Sequence, residues 1–97
     1  MNHNDLVKQL PSHLFWDSDI SKLDDVKHFK KIIIRTFERG DIADMATVIA
    51  CYGDPICSEV LKEAEYLEES ARLLGSLFLS LNEEDFVSYS RKQHHSI

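Results

Sequence analysis

The sequence predicts a small all-α protein: a single-domain bundle of about five helices with an irregular N-terminal segment. Three observations predict it. Apolar residues recur at helical intervals through most of the chain. Glycine and proline are scarce, 3 and 2 in 97 residues, and Gly40, Gly53 and Pro55 stand at the joints between those stripes, unlike the frequent turn residues of a β-sandwich. A hydrophobic fraction of 43% provides for a core, and 97 residues leave room for one domain.

That domain is placed at 10–90, with 1–9 as a tail or short helix and 91–97 as a frayed tail. Just after Pro11 comes a dense apolar knot, His13, Leu14, Phe15 and Trp16, without long periodicity. It reads as an extended or single-turn segment packed against the bundle. The first long helix spans 24–39. Val26, Phe29, Ile33 and Phe37 follow at intervals of 3, 4 and 4, and Ile32 and Ile34 widen the stripe. Asp24 suits the N-cap, basic residues suit the later turns, and Gly40 is expected to close the helix at positive φ.

Asp41 caps a second helix whose apolar positions are Ile42, Met45, Ala46, Val48, Ile49 and Tyr52, and Gly53 closes it, again at positive φ. Asp54-Pro55 reads as an N-cap followed by proline at the first helical position. The third helix therefore begins at Pro55 and buries Ile56, Val60, Leu61 and Ala64. A fourth spans about 68–81, on a stripe of Leu67, Ala71, Leu74, Leu77, Phe78 and Leu81. No glycine or proline divides it from the third, so two helices or one bent helix both fit. Gly75 allows close helix approach. Asn82 caps a short fifth helix, with Glu83, Glu84 and Asp85 in its first turn and Phe86 and Tyr89 pointing back. The expected core is Phe29, Ile33, Phe37, Val48, Ile49, Val60, Leu61, Leu74, Leu77, Phe78 and Leu81.

Charge narrows the function classes. The net charge is −6, which disfavours general nucleic-acid binding. The charge is uneven: residues 22–40 hold six basic and three acidic side chains, and residues 41–69 hold one Lys and eight acidic ones. Such a dipolar chain can steer a charged partner or associate with itself, but two solvated helix faces of opposite sign are the simpler account. Residues 1–10 lack the basic start and apolar stretch of a secretory signal, and no apolar run exceeds five residues, far short of a membrane span. Two cysteines make no disulfide framework. The expectation is a protein of the reducing cytoplasm.

Catalysis and metal binding find little support. Cys51 and Cys57 flank the Gly53 turn, and His28 is the histidine of a confident helix, but both thiols read as small buried hydrophobes. No phosphate-binding glycine loop or nucleophile elbow is present. The cysteines stand six apart across a helix break, His94 and His95 are adjacent in the tail, and Asp17 and Asp19 lack the glycine and glutamate of a calcium loop. The sequence is therefore read as non-catalytic, with no cofactor and no metal.

A helix–glycine–helix pattern invites a helix-turn-helix reading, but the second helix would bring Glu59, Glu63 and Glu65 against phosphates. A better DNA candidate is the 24–39 helix, where Lys27, Lys31 and Arg35 stand at i, i+4 and i+8 beside Lys30 and are expected in solvent. The same stripe suits an acidic protein surface. Phe15 and Trp16 are the other partner-binding candidates. For Trp16 the favoured reading is nonetheless a core plug, because a small domain needs that buried area.

Residues 10–19, LPSHLFWDSD, followed by a helix ending in Arg39-Gly40-Asp41 and then by Tyr52-Gly53, resemble a family of short uncharacterised bacterial proteins known as a domain of unknown function. The resemblance covers residues 10–89. It implies an antitoxin-type partner of a nucleotidyltransferase toxin of the abortive-infection kind, and it carries over no catalytic residue. The functional reading is a non-catalytic, cytoplasmic protein-interaction module; a DNA-binding regulator using the basic stripe is the alternative.

Overall fold

The computed structural model describes residues 5–89. Among them the chain forms no strand; its α-helices are α1 (Asp5–Gln9), α2 (Phe29–Arg39), α3 (Ile42–Tyr52), α4 (Asp54–Glu63) and α5 (Glu69–Leu79), and residues 87–89 are helical as well. Single 3₁₀ turns stand at Ser12–Phe15, Ile20–Lys22 and Glu83–Asp85. The all-α expectation is met. The tail at 91–97, with His94 and His95, lies outside the described residues. None of the described helices is long and apolar enough to cross a membrane.

α2 is the hub, touching α3, α4, α5 and the first 3₁₀ turn. Its run of isoleucines is a poor helix former in isolation, because β-branched side chains lose rotamer freedom against the preceding turn. Packing overrides that loss: Ile32, Ile33, Thr36 and Phe37 are all buried on one face. The buried Thr36 hydroxyl is satisfied by donating to the Ile32 carbonyl at 2.7 Å. The helix starts five residues later than the 24–39 expectation. The Asp24 carboxylate accepts the N–H groups of Val26 and Lys27 at 2.8 and 3.0 Å, and the Asp24 N–H donates to His28 Nδ1 at 2.9 Å. Asp24 thus caps a turn at 25–28, and Val26, expected on the inner face, is exposed.

The two glycine joints differ. Gly53 has φ +91° and ψ 155°, a region open almost only to glycine. Its N–H donates to the Ile49 carbonyl at 2.7 Å and its own carbonyl accepts from Cys57 N–H at 3.2 Å, so one residue ends α3 and begins α4. Asp54 is therefore the first residue of α4 instead of its cap, with Pro55 next. Gly40 overturns the expectation of positive φ: it sits at φ −87° and ψ 172°, an extended conformation open to any residue. Glycine is needed there for space. A Cβ would lie 2.7 Å from the Thr36 carbonyl oxygen and 3.2 Å from the side chain of Asp44. Asp41 caps α3 as expected, with the Asp44 carboxylate accepting the Asp41 N–H at 2.9 Å.

α4 and α5 are two helices. Ala64 turns extended, at ψ 123°, and Leu67 drops into the core between them. Ile56, expected inside, is largely exposed, and Cys57 takes the buried position instead. The short fifth helix appears as the 3₁₀ turn at Glu83–Asp85, where Asn82 and Asp85 form a capping box and Phe86 is fully buried behind it.

Ile33, Phe37, Val48, Val60 and Leu61 are buried as expected, while Phe29, Ile49, Leu74 and Leu81 pack partly buried around them. Leu77 and Phe78 correct the expected core, because both are exposed. α5 buries Ala71, Arg72, Gly75 and Leu79 instead. The small residues Ala71 and Gly75 let the backbone approach, and a Cβ on Gly75 would lie 3.2 Å from Leu61 Cδ1. Core residues outside the expected set include Leu6 and Val7 of α1 and Leu10, Leu14 and Phe15. α1 is held by the Asp25 carboxylate, which accepts the N–H groups of Leu6 and Val7 at 2.9 and 3.2 Å. Tyr52 ties down the same loop by donating its hydroxyl to the Asp25 carbonyl at 2.6 Å.

A candidate protein interface at Trp16

Successive residues of a 3₁₀ turn point about 120° apart, so three in a row cannot all face the core. Leu14 and Phe15 turn fully into the core, and the next residue, Trp16, turns out with 78% of its surface exposed. Phe15 is therefore corrected from partner-binding candidate to core residue. Trp16 is an exposed aromatic and no core plug.

The exposed ring is fixed from below by α2. The Arg35 guanidinium carbon lies 5.7 Å from the centroid of the Trp16 ring, within cation–π range. The same guanidinium forks onto Asp17, with Nη1 at 3.1 Å from one carboxylate oxygen and Nη2 at 2.8 Å from the other. Nη1 also donates to the Leu14 carbonyl at 3.1 Å. Lys31 reaches the Asp17 carboxylate at 3.5 Å and donates to the Ser18 hydroxyl. Such charge-assisted, bidentate contacts fix direction as well as distance. The Arg35 hydrogen bonds, with the positive charges of Arg35 and Lys31, hold the Asp17 carboxyl at about 2, below its ordinary 3.8.

The basic stripe is accordingly redistributed. Lys31 and Arg35 were expected in solvent, but both are half-buried under the N-terminal motif with part of their charge spent on Asp17. Lys27 is exposed and stands in the 25–28 turn, off the helix, so the i, i+4, i+8 row is broken at its first member. With Arg35 already forked onto a carboxylate, the row has lost its bidentate donor for a phosphate. The structure brings Trp16, Lys31 and Arg35 together and leaves Lys27 and Phe15 out. Sequence reasoning missed Ser18, and it weighed Asp17 only as part of a calcium loop. The available signal was the acidic end of the motif opposite a basic helix face.

The thiols do not form a nucleophilic site. Cys57 is fully buried, and burial pushes its thiol up to about 11. Cys51 corrects the expectation of burial, since it is exposed, yet desolvation and the nearby Asp25 charge raise its thiol as well. Both shifts run opposite to the thiolate activation that catalysis uses. Among the described residues no group of three or more His, Cys, Asp or Glu side chains is placed to hold a metal ion.

What the cluster offers is a large aromatic platform in solvent, aimed by a salt-bridged arginine and backed by a packed helix. The Trp16 ring is thus held by a contact within its own chain. In comparisons with known proteins, the model of a family of unknown function (DUF6922) matches residues 10–61, from the first residue of the motif to Leu61 in α4. No curated protein and no solved structure matches.

Proposed function

The chain belongs to this family of unknown function, and we propose that it is a non-catalytic protein-interaction module that docks its partner on Trp16. The observation that carries this reading is a tryptophan 78% exposed yet pinned by Arg35. An exposed tryptophan contributes little to the fold, whereas buried in an interface it ranks among the strongest anchors. Lys31 and Arg35 act beneath it as positioning residues. Their residual positive charge and the acidic stretch at 41–69 supply the field that orients an approaching partner.

The resemblance of residues 10–19 to antitoxin-type proteins makes a nucleotidyltransferase toxin encoded beside this chain the partner of choice. Neutralisation then works by occlusion, with Trp16 seated in a pocket of the toxin. Co-expression of the two proteins, followed by size-exclusion chromatography and titration calorimetry, tests this. The expected result is a stoichiometric complex that Trp16→Ala weakens at least about 30-fold, the scale of a hot spot of about 2 kcal/mol or more. Arg35→Met should give a smaller loss, because the ring remains but its support is gone. Absence of a complex removes the toxin as partner. A complex indifferent to Trp16→Ala removes Trp16 as the anchor.

A further inference from the structure

Every arginine among the described residues except one meets a carboxylate. Arg35 forks onto Asp17, and Arg39 reaches Glu68 at 2.9 Å. Arg72 is the most deeply buried, with 3% of its surface exposed, and no ion pair among the described residues includes it. Its Nη1 donates to the Leu67 carbonyl at 3.1 Å and, at a longer 3.5 Å, to the Ser88 hydroxyl. Its Nε is buried and has no acceptor among the described residues. The Tyr89 ring, 6.0 Å from the guanidinium carbon, covers one face and supplies no negative charge. A buried guanidinium without a counter-charge is an arrangement that folded chains avoid. This chain has no further carboxylate side chain to offer. All 17 of its Asp and Glu residues lie between positions 5 and 85, and neither 1–4 nor 90–97 contains one.

From this we propose that Arg72 is the receptor for the carboxylate of a small molecule. With Nη1 engaged, the edge left to grip an anion is that of Nε and Nη2. Two parallel N–H groups on one edge fit the two oxygens of a carboxylate lying in the guanidinium plane. The Ser88 hydroxyl, which accepts from Nη1, has its own proton to donate to the same anion. Charge selects among oxyanions. One guanidinium balances one negative charge, so a monocarboxylate is neutralised, whereas a phosphate dianion would bury an excess. Depth selects among sources: a free carboxylate of a few atoms reaches a buried guanidinium that a side chain on the flat surface of a partner does not. The site is therefore separate from the docking at Trp16 and does not rest on it.

NMR titration of the full chain with sodium acetate tests this without altering the residue. The Nε–H signal of Arg72, assigned through its own side-chain carbons, should move saturably. Half of the movement is expected at about 1–10 mM, the scale that so small an anion can reach. Sodium chloride at the same ionic strength should leave the signal in place, and inorganic phosphate should need a higher concentration than acetate. Acetate should also raise the melting temperature, because it binds the folded chain alone. That rise should persist in Trp16→Ala and vanish in Arg72→Lys, which keeps a charge and loses the planar fork. Should Arg72→Lys not fold, the titration of the native chain decides alone. A signal indifferent to acetate, one moved equally by chloride, or half-saturation at a lower concentration of phosphate would overturn the inference. So would a melting temperature that acetate still raises in a folded Arg72→Lys chain.

Discussion

The N-terminal motif and α5 both present large apolar side chains to solvent, but only the motif holds its own in place. Trp16 is stacked on Arg35, which is forked onto Asp17 and anchored to the Leu14 carbonyl. Leu73 and Leu77 are exposed on a helix whose Arg72, buried on another side, donates to the Leu67 carbonyl at 3.1 Å. An exposed side chain that its own chain has ordered is prepared for a partner of defined shape. An exposed apolar row without such ties is completed by whatever packs on it. The two surfaces therefore differ in kind, one an aromatic fixed at a point and one a pair of leucines along a helix.

The sharpest contrast lies between neighbours. Phe15→Ala should destabilise the protein by about 3–5 kcal/mol, since it empties a fully buried ring site. Trp16→Ala, one residue on, should change stability by about 0.5 kcal/mol or less, the usual scale for surface substitutions. Urea unfolding of both variants makes the comparison, and a large loss at Trp16 would turn it into a structural residue.

The glycine joints come next in size. Gly53→Ala should cost about 1–2 kcal/mol because of its positive φ. Gly40→Ala should cost a similar amount, about 1–3 kcal/mol, by the crowding of Thr36 and Asp44. The causes separate with D-alanine introduced by chemical synthesis, which should be tolerated at Gly53 on backbone grounds. Thermal melts of the four variants provide the reading.

At the C-terminal end of α5, Ser80 adopts the left-handed conformation at φ 56° and ψ 43°. Its N–H and that of Leu81 both turn back to the Ser76 carbonyl, the latter at 3.1 Å. Ser80→Gly should relieve the side-chain penalty and stabilise the fold by about 1 kcal/mol. No gain in melting temperature would show that the turn carries no such penalty.

The smallest effect is a pH dependence confined to the motif. The folded-state pKa of Asp17 is depressed, so its stabilising contribution is whole above the ordinary 3.8 and drains away as pH falls towards about 2. Stability should therefore drop with acid across that window, and Asp17→Asn should flatten the drop. Carboxyl NMR titration should find Asp17 at about 2 in the native chain and near the ordinary value in Arg35→Met. An ordinary value in the native chain would remove the fork from the account.

These contrasts follow where the fold was legible in the sequence. Ile33, Phe37, Val48, Val60 and Leu61 were readable because large side chains mark their stripes and glycines mark their joints. α5 misled at Leu77 and Phe78, because its inner face is completed by Gly75, and a stripe drawn through large residues passes it over. Asp24 misled by capping a turn that delays α2 to Phe29. Half of the Trp16 site was legible, as an aromatic pair in irregular chain and a basic helix row. Their meeting was not, because it depends on Asp17 reaching Arg35 across 18 positions, a contact that helical periodicity does not encode.

The central claim is that Trp16 is held out for a partner, and the chain contains one tryptophan, so the claim can be read at that side chain alone. With fluorotryptophan incorporated into this chain only, the fluorine NMR spectrum consists of one ring's signal. Its shift between light and heavy water should mark a solvated ring in the free protein. The account predicts that this solvent shift disappears in a stoichiometric complex with the partner protein. A ring that stays solvated in the complex, or is already shielded in the free chain, would contradict it.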